Sequence, residues 1–266
     1  MDYEQLVDAT IAHLQGLQKQ GVRYVNVTLA RPPILAEGVS LRTSAASLVE
    51  KPKLKVPEPK SAALAALRER VMTCVKCPHL AKSRKNVVFG VGNIDAELMF
   101  VGEAPGADED AQGEPFVGAA GQLLTKIIQA MGLTRQTVYI ANILKCRPDT
   151  PGQSSGNRKP TLDEMKTCVP FLQEQIDLIQ PKVMVALGAT AVEGLLGANG
   201  GIMRLRGNWQ SYRGIPLMPT YHPAYLLRNQ AVSEKRRVWE DMLQVMEKLG
   251  MVISEKQRRY FQESSG

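Results

Sequence analysis

The sequence predicts an α/β fold, a three-layer α/β/α arrangement around a central, mostly parallel four-stranded sheet. Four short apolar runs, at 98–101, 138–141, 183–187 and 215–220, each lead into a turn rich in Gly, Asn, Thr or Pro. Longer stretches with apolar residues at helical spacing separate them. Runs that are apolar throughout, rather than alternating, suit parallel strands covered on both faces.

Each element has its own signal. Ser61 is placed to cap a helix running through residues 62–67 toward Cys74. A second helix spans 121–131, with Leu123, Leu124, Ile127 and Ile128 on one face. A third spans 163–179 through Met165, Val169, Leu172 and Ile176, and 234–248 forms the last. These elements define one domain over residues 61–252, followed by a tail at 253–266. Ahead of it, Leu6, Ile11, Leu14 and Leu17 mark a short helical extension over 1–20. Residues 21–60 alternate Pro with charge, as in 50–60, and read as a flexible linker. Its lysines read as a solvated tether rather than a DNA contact.

Composition narrows the function. The 266 residues carry 33 Lys and Arg against 26 Asp and Glu, a net charge of +7. Such a balance favours a polyanionic partner through phosphate neutralisation. The first residues lack the basic and apolar regions of a secretory leader, and no apolar run is long enough to span a bilayer. The chain is therefore expected in the cytoplasm, where structural disulfides are rare. Its four cysteines are then either scattered core residues or ligands. Cys74 and Cys77 form a CxxC pair, and Cys146 and Cys168 follow far downstream. Four thiolates serve zinc or an iron–sulfur cluster equally well, and spacing leaves both open. A redox CxxC pair would leave Cys146 and Cys168 unexplained.

In open parallel sheets ligands sit beyond the carboxyl ends of the strands. There the sequence places Gly102-Glu103-Ala104-Pro105-Gly106, Asn142, Gly188-Ala189-Thr190 and Tyr221-His222-Pro223. Glu103, Asp108, Glu109 and Asp110 crowd acid into one turn of a basic protein, which suits a chemical role or an acidic, solvated loop ahead of a helix. Phe116, set between turn residues in Gly113-Glu114-Pro115-Phe116-Val117-Gly118, is placed to stack on a base or to anchor the core. Lys235-Arg236-Arg237 at the last helix suit phosphate contacts or a solvated face.

Together these segments resemble the family 4 uracil-DNA glycosylases. The likeness is carried, in order, by Gly102–Gly106 with Glu109-Asp110, Gly113–Gly118, Gly121-Gln122-Leu123-Leu124, Ala141-Asn142 with Lys145-Cys146-Arg147-Pro148, Asn157-Arg158 and His222–Leu227. It covers about residues 68–248 and assigns neither role nor partner to residues 1–60. The resemblance implies hydrolysis of the N-glycosidic bond of deoxyuridine in single- or double-stranded DNA by a monomer. It also implies a [4Fe–4S] cluster on Cys74, Cys77, Cys146 and Cys168. Phe116 resembles the ring stacked on the flipped uracil and Asn142 the amide that reads its edge. Gly102, Ala104 and Asn157 complete the base pocket. His222 resembles the donor to the departing uracil oxygen, while Arg158, Leu227 and Arg228 meet DNA, Leu227 with Arg228 in the minor-groove loop. A related branch has aspartate at the place of Ala104, so Glu103 is expected to position the pocket and Glu109 to orient water. Residues 150–155 look like an insert between Cys146 and Cys168.

Three other readings compete: a zinc-holding nucleic-acid-binding protein, an iron–sulfur scaffold without catalysis, and a nucleotide-binding enzyme. The last needs a Gly-Lys-Ser/Thr ending that the turn at 102–106 lacks.

Overall fold

The computed structural model describes residues 59–149, 157–197 and 201–262. The expected N-terminal helix, nearly all of the linker and the insert at 150–155 lie outside them. The described residues belong to one unit, Leu54–Gly266.

Helices α1 (Lys60–Met72) and α2 (Pro78–Ser83) lead to strands β1 (Val91–Gly92) and β2 (Leu98–Gly102). Helices α3 (Ala107–Gln112) and α4 (Ala119–Ala130) connect to β3 (Tyr139–Asn142). Then come α5 (Leu162–Ile179), β4 (Val183–Leu187), α6 (Ala189–Leu196) and α7 (Ile202–Leu205). The hairpin β5 (Gln210–Tyr212) and β6 (Ile215–Thr220) is followed by α8 (Pro223–Arg228), α9 (Val232–Lys248) and α10 (Glu255–Arg258).

The sheet order is β1-β3-β2-β4-β6-β5. The four inner strands are parallel, as expected. The expected four-stranded sheet gains an antiparallel strand at each edge, β1 and β5. At two and three residues these are too short to show a period. The β5–β6 turn holds Arg213 at φ 52° and Gly214 at φ 82°. Two successive positive φ values are what a tight two-residue hairpin turn demands.

Successive residues of the inner strands point to opposite faces. Met99, Val101, Tyr139, Ala141, Met184 and Ala186 pack on α5 and α6 through Leu172, Ile176 and Val192. Leu98, Phe100, Ile140, Val183 and Val185 pack on α4 and α9 through Leu124, Ile128, Trp239 and Met246. Strands buried on both faces explain why the sequence shows unbroken apolar runs.

Two boundaries differ from expectation. The cap of α1 is Pro59, whose carbonyl accepts from Ala62 and Ala63. Lys60 extends the helix by anchoring to Asp95 (2.7 Å) and to the Ile179 carbonyl (3.0 Å), so Ser61 lies inside the first turn. Residues 253–262, expected as a tail, dock on the domain. Trp239 Nε1 donates to the Gln257 carbonyl (2.6 Å), and Gln257 Nε2 donates to that of Ala130 (2.8 Å).

Candidate active site

The carboxyl ends of β2, β3, β4 and β6 open into a cleft of about 510 Å³. Glu103, Ala104, Glu109, Phe116, Asn142, Asn157, Arg158, His222 and Arg228 all line it. Gly102 stands just behind: a Cβ there would come within 2.4 Å of Asn142 Oδ1 and 2.5 Å of Phe116 Cζ. Glycine at this place lets amide and ring close over the strand end. Leu227 is 39% exposed on α8 and does not line the cleft.

Phe116 is held in an unusual posture. Its φ is 56°, a conformation that a bulky side chain adopts only under constraint. Gly121 makes room for that posture, since a Cβ there would overlap the Phe116 carbonyl at 1.8 Å. Arg135 holds it. Its Nη1 donates to the Phe116 carbonyl (3.1 Å) and its Nη2 to that of Pro115 (2.7 Å). The ring ends 5.6 Å from that of His222, tilted by 30°. Sequence reading missed Arg135, because nothing in its neighbourhood signals a contact 19 residues back. Arg135→Ala is expected to cost about 2 kcal/mol of stability, the scale of hydrogen bonds to a charged donor. It should also lower activity more than tenfold, since the Phe116 posture loses its support. Urea unfolding beside single-turnover kinetics checks both.

Asn142 is 2% exposed. Its Oδ1 is buried, and among the described residues it is the side-chain N or O atom left buried without a hydrogen-bond partner. An orphaned acceptor of this kind costs about 1–3 kcal/mol, so its presence in a cleft points to a ligand donor.

The two glutamates are held differently. Glu109 Oε2 accepts from Gly106 N (3.0 Å), and Oε1 accepts from Val117 N (3.0 Å) and Gly118 N (3.1 Å). Its carboxylate therefore braces the turn after β2 against the loop bearing Phe116. Glu103 lines the cleft with no side-chain hydrogen bond among the described residues.

His222 caps α8, its Nδ1 accepting from Ala224 N at 3.1 Å. A ring nitrogen that accepts is unprotonated, so in the neutral ring the proton sits on Nε2. Burial pushes the imidazole down to about 4, aided by the charge of Arg228 and opposed by Glu109. At neutral pH His222 is thus an uncharged Nε2–H donor. Gly188, at φ 91°, lets the ring approach, because a Cβ there would lie 3.0 Å from that of His222.

With this geometry, the chain compares as follows. Residues 89–243 match the uracil DNA glycosylase superfamily. A type-4 uracil-DNA glycosylase of Thermotoga maritima is 47% identical over 65% of this chain and 88% of its own length. Its namesake in Archaeoglobus fulgidus is 39% identical over 72% of this chain and 94% of its own. The chain belongs to the type-4 uracil-DNA glycosylase family. A type-5 enzyme of Pyrobaculum aerophilum is more distant, at 28% identity over 59% of this chain.

The cysteines of this type-4 chain line a second, smaller cavity with Leu80, Leu144 and Phe171. All four are free and partly buried. Two N–H groups already point at sulfur: Arg84 Nη1 lies 3.1 Å from Cys146 Sγ and Lys145 N lies 3.3 Å from Cys168 Sγ. Burial pushes the Cys168 thiol up to about 12 and raises those of Cys77 and Cys146. Holding them as thiolates thus calls for added positive charge. Among the described residues no three His, Cys, Asp or Glu side chains are placed to hold a single metal ion. Four thiols around one small cavity are a donor set that zinc and iron–sulfur clusters both take.

Arg158 lines the cleft while tied to Glu164, its Nη1 at 2.8 Å from Oε2 and its Nη2 at 2.5 Å from Oε1. Glu164 also accepts from Thr161 N (2.7 Å) and meets His79 Nε2 (2.6 Å). The Arg158 bond holds its carboxyl down at about 2. One buried carboxylate thus joins the cleft rim, the cap of α5 and the segment after Cys77. Arg236 and Arg237 pair with Glu240 and Glu234, so the basic run at 235–237 is largely spent on its own helix.

Proposed function

We infer that the chain is a DNA repair glycosylase that hydrolyses the N-glycosidic bond of deoxyuridine, releasing uracil and leaving an abasic site. Family membership supports the activity. The observation that carries the residue assignment is the buried, unpartnered Oδ1 of Asn142, beside Phe116 and His222. A base within a duplex is out of reach, so it must swing into the cleft at a cost of a few kcal/mol. Stacking on Phe116 returns about 1–3 kcal/mol of that.

Uracil presents an N3–H donor beside an O4 acceptor, and the Asn142 amide offers the complementary pair. Cytosine presents the reverse pattern and leaves Oδ1 facing an acceptor. As the C1′–N1 bond breaks, its electron pair moves onto the uracil ring and charge builds on O2. The neutral His222 donates Nε2–H to that oxygen. The sugar becomes oxocarbenium-like, and water adds at C1′. We assign the orientation of this water, and the acceptance of its proton, to Glu103, whose carboxylate is uncommitted. Glu109 holds the pocket together. Arg228, on the cleft wall, and the exposed Leu227 serve DNA binding.

A [4Fe–4S] cluster held by Cys74, Cys77, Cys146 and Cys168 would supply a covalent clip between the segment before β2 and the segment after β3. Cys146→Ser is expected to bleach the brown colour of the anaerobically purified protein and lower its melting temperature. Full iron content and unchanged melting would count against the clip.

The activity itself is tested by incubating the protein with a uracil-containing oligonucleotide, followed by alkali. Strand scission is expected with uracil and not with thymine at the same position. No scission by iron-loaded protein would overturn the reading.

A further inference from the structure

Lys145 is 1% exposed, yet among the described residues no carboxylate pairs with it. Its Nζ donates to the peptide carbonyl of Asn142 at 3.0 Å and to Gln175 Oε1 at 2.6 Å. Gln175 is fixed in turn, its Nε2 donating to the Phe89 carbonyl (3.0 Å) and to Tyr139 Oη (3.1 Å). A buried ammonium with only neutral partners opposes folding, so its retention calls for a function.

Two neighbours supply one. Upstream, Ile143 N and Leu144 N donate to the carbonyls of Gly102 and Glu103, and the chain then turns so that Lys145 reaches back under Asn142. Downstream, the Lys145 backbone N–H donates to Cys168 Sγ and Cys146 follows directly. Lys145 therefore stands between the amide in the cleft and the cysteine set.

We propose that Lys145 is a positioning residue for uracil recognition. It pins the Asn142 peptide carbonyl from beneath, braced by Gln175. This rests on the glycosylase reading above. Loss of that bond releases the peptide that carries the base-reading amide.

The test compares wild type with Lys145→Met, which removes the donor, and Lys145→Gln, which keeps one. The quantity read is the affinity ratio between an oligonucleotide bearing 2′-fluoro-2′-deoxyuridine, which resists hydrolysis, and its thymidine counterpart. Lys145→Met is expected to lower the ratio at least tenfold. Lys145→Gln should keep it within about threefold of wild type, because one hydrogen bond is conserved. A Lys145→Met ratio within about threefold of wild type, or equal losses in both variants, overturns the proposal. A wild type that shows no preference for the fluorouridine strand would instead overturn the glycosylase reading, a separate and recognisable failure.

Discussion

Asn142→Ala is expected to lower kcat/KM on uracil-containing DNA by roughly 10³-fold or more while leaving the protein about as stable as before. The loss follows from the kind of site. A pocket built to hydrogen-bond its substrate discriminates by roughly 10⁴–10⁵ when the partner groups are left unpaired. The unchanged stability follows from the orphaned Oδ1. Deleting it removes a desolvation penalty of about 1–3 kcal/mol, which offsets the packing lost with the amide. Single-turnover kinetics and urea unfolding of the two proteins check this. A variant within tenfold of wild-type activity, or one that unfolds far more easily, would show that Asn142 is a structural residue.

His222→Gln is expected to lower kcat by about 10²–10³, the effect of deleting one donor aimed at developing negative charge. Substrate binding should change far less. Because burial holds the imidazole down at about 4, its titration should leave no limb in the kcat profile between pH 5 and 8. The same shift has a consequence for stability. The folded value lies below the ordinary 6.5, so the unfolded chain binds the extra proton first. The stabilising contribution is complete above about pH 6.5 and is lost as pH falls toward 4, on the order of 3 kcal/mol in all. Glu164, held down at about 2, adds a second loss below its ordinary 4.5. Urea unfolding from pH 8 to 4 should show the first decline in wild type and much less of it in His222→Gln. Equal slopes would contradict the assignment.

The inner sheet was legible because its strands are buried on both faces, which leaves an unbroken apolar signature. The edge strands were not, because β1 offers two residues and β5 three, too few for any period. The cleft residues could be found because strand ends concentrate Gly, Asn, Glu and His, and their order matches a family. What holds them could not. Arg135 reaches carbonyls 19 and 20 residues back, and Lys145 meets Gln175 30 residues on. Such contacts exist only after the chain has folded. Glu109 shows the difference most clearly. Its position beside the pocket was evident, but that its carboxylate accepts from the backbone depended on where the N–H groups of residues 106, 117 and 118 came to point.

Those three N–H groups form a concave set around one carboxylate. Such a concavity is an ordinary receptor for phosphate. Here it is permanently filled from within, by a side chain that is the receptor's own resident anion. Free nucleotides, abundant competitors in any cell, therefore find no phosphate seat in this turn. A mononucleotide can offer the cleft its base but cannot add the grip of its charge there.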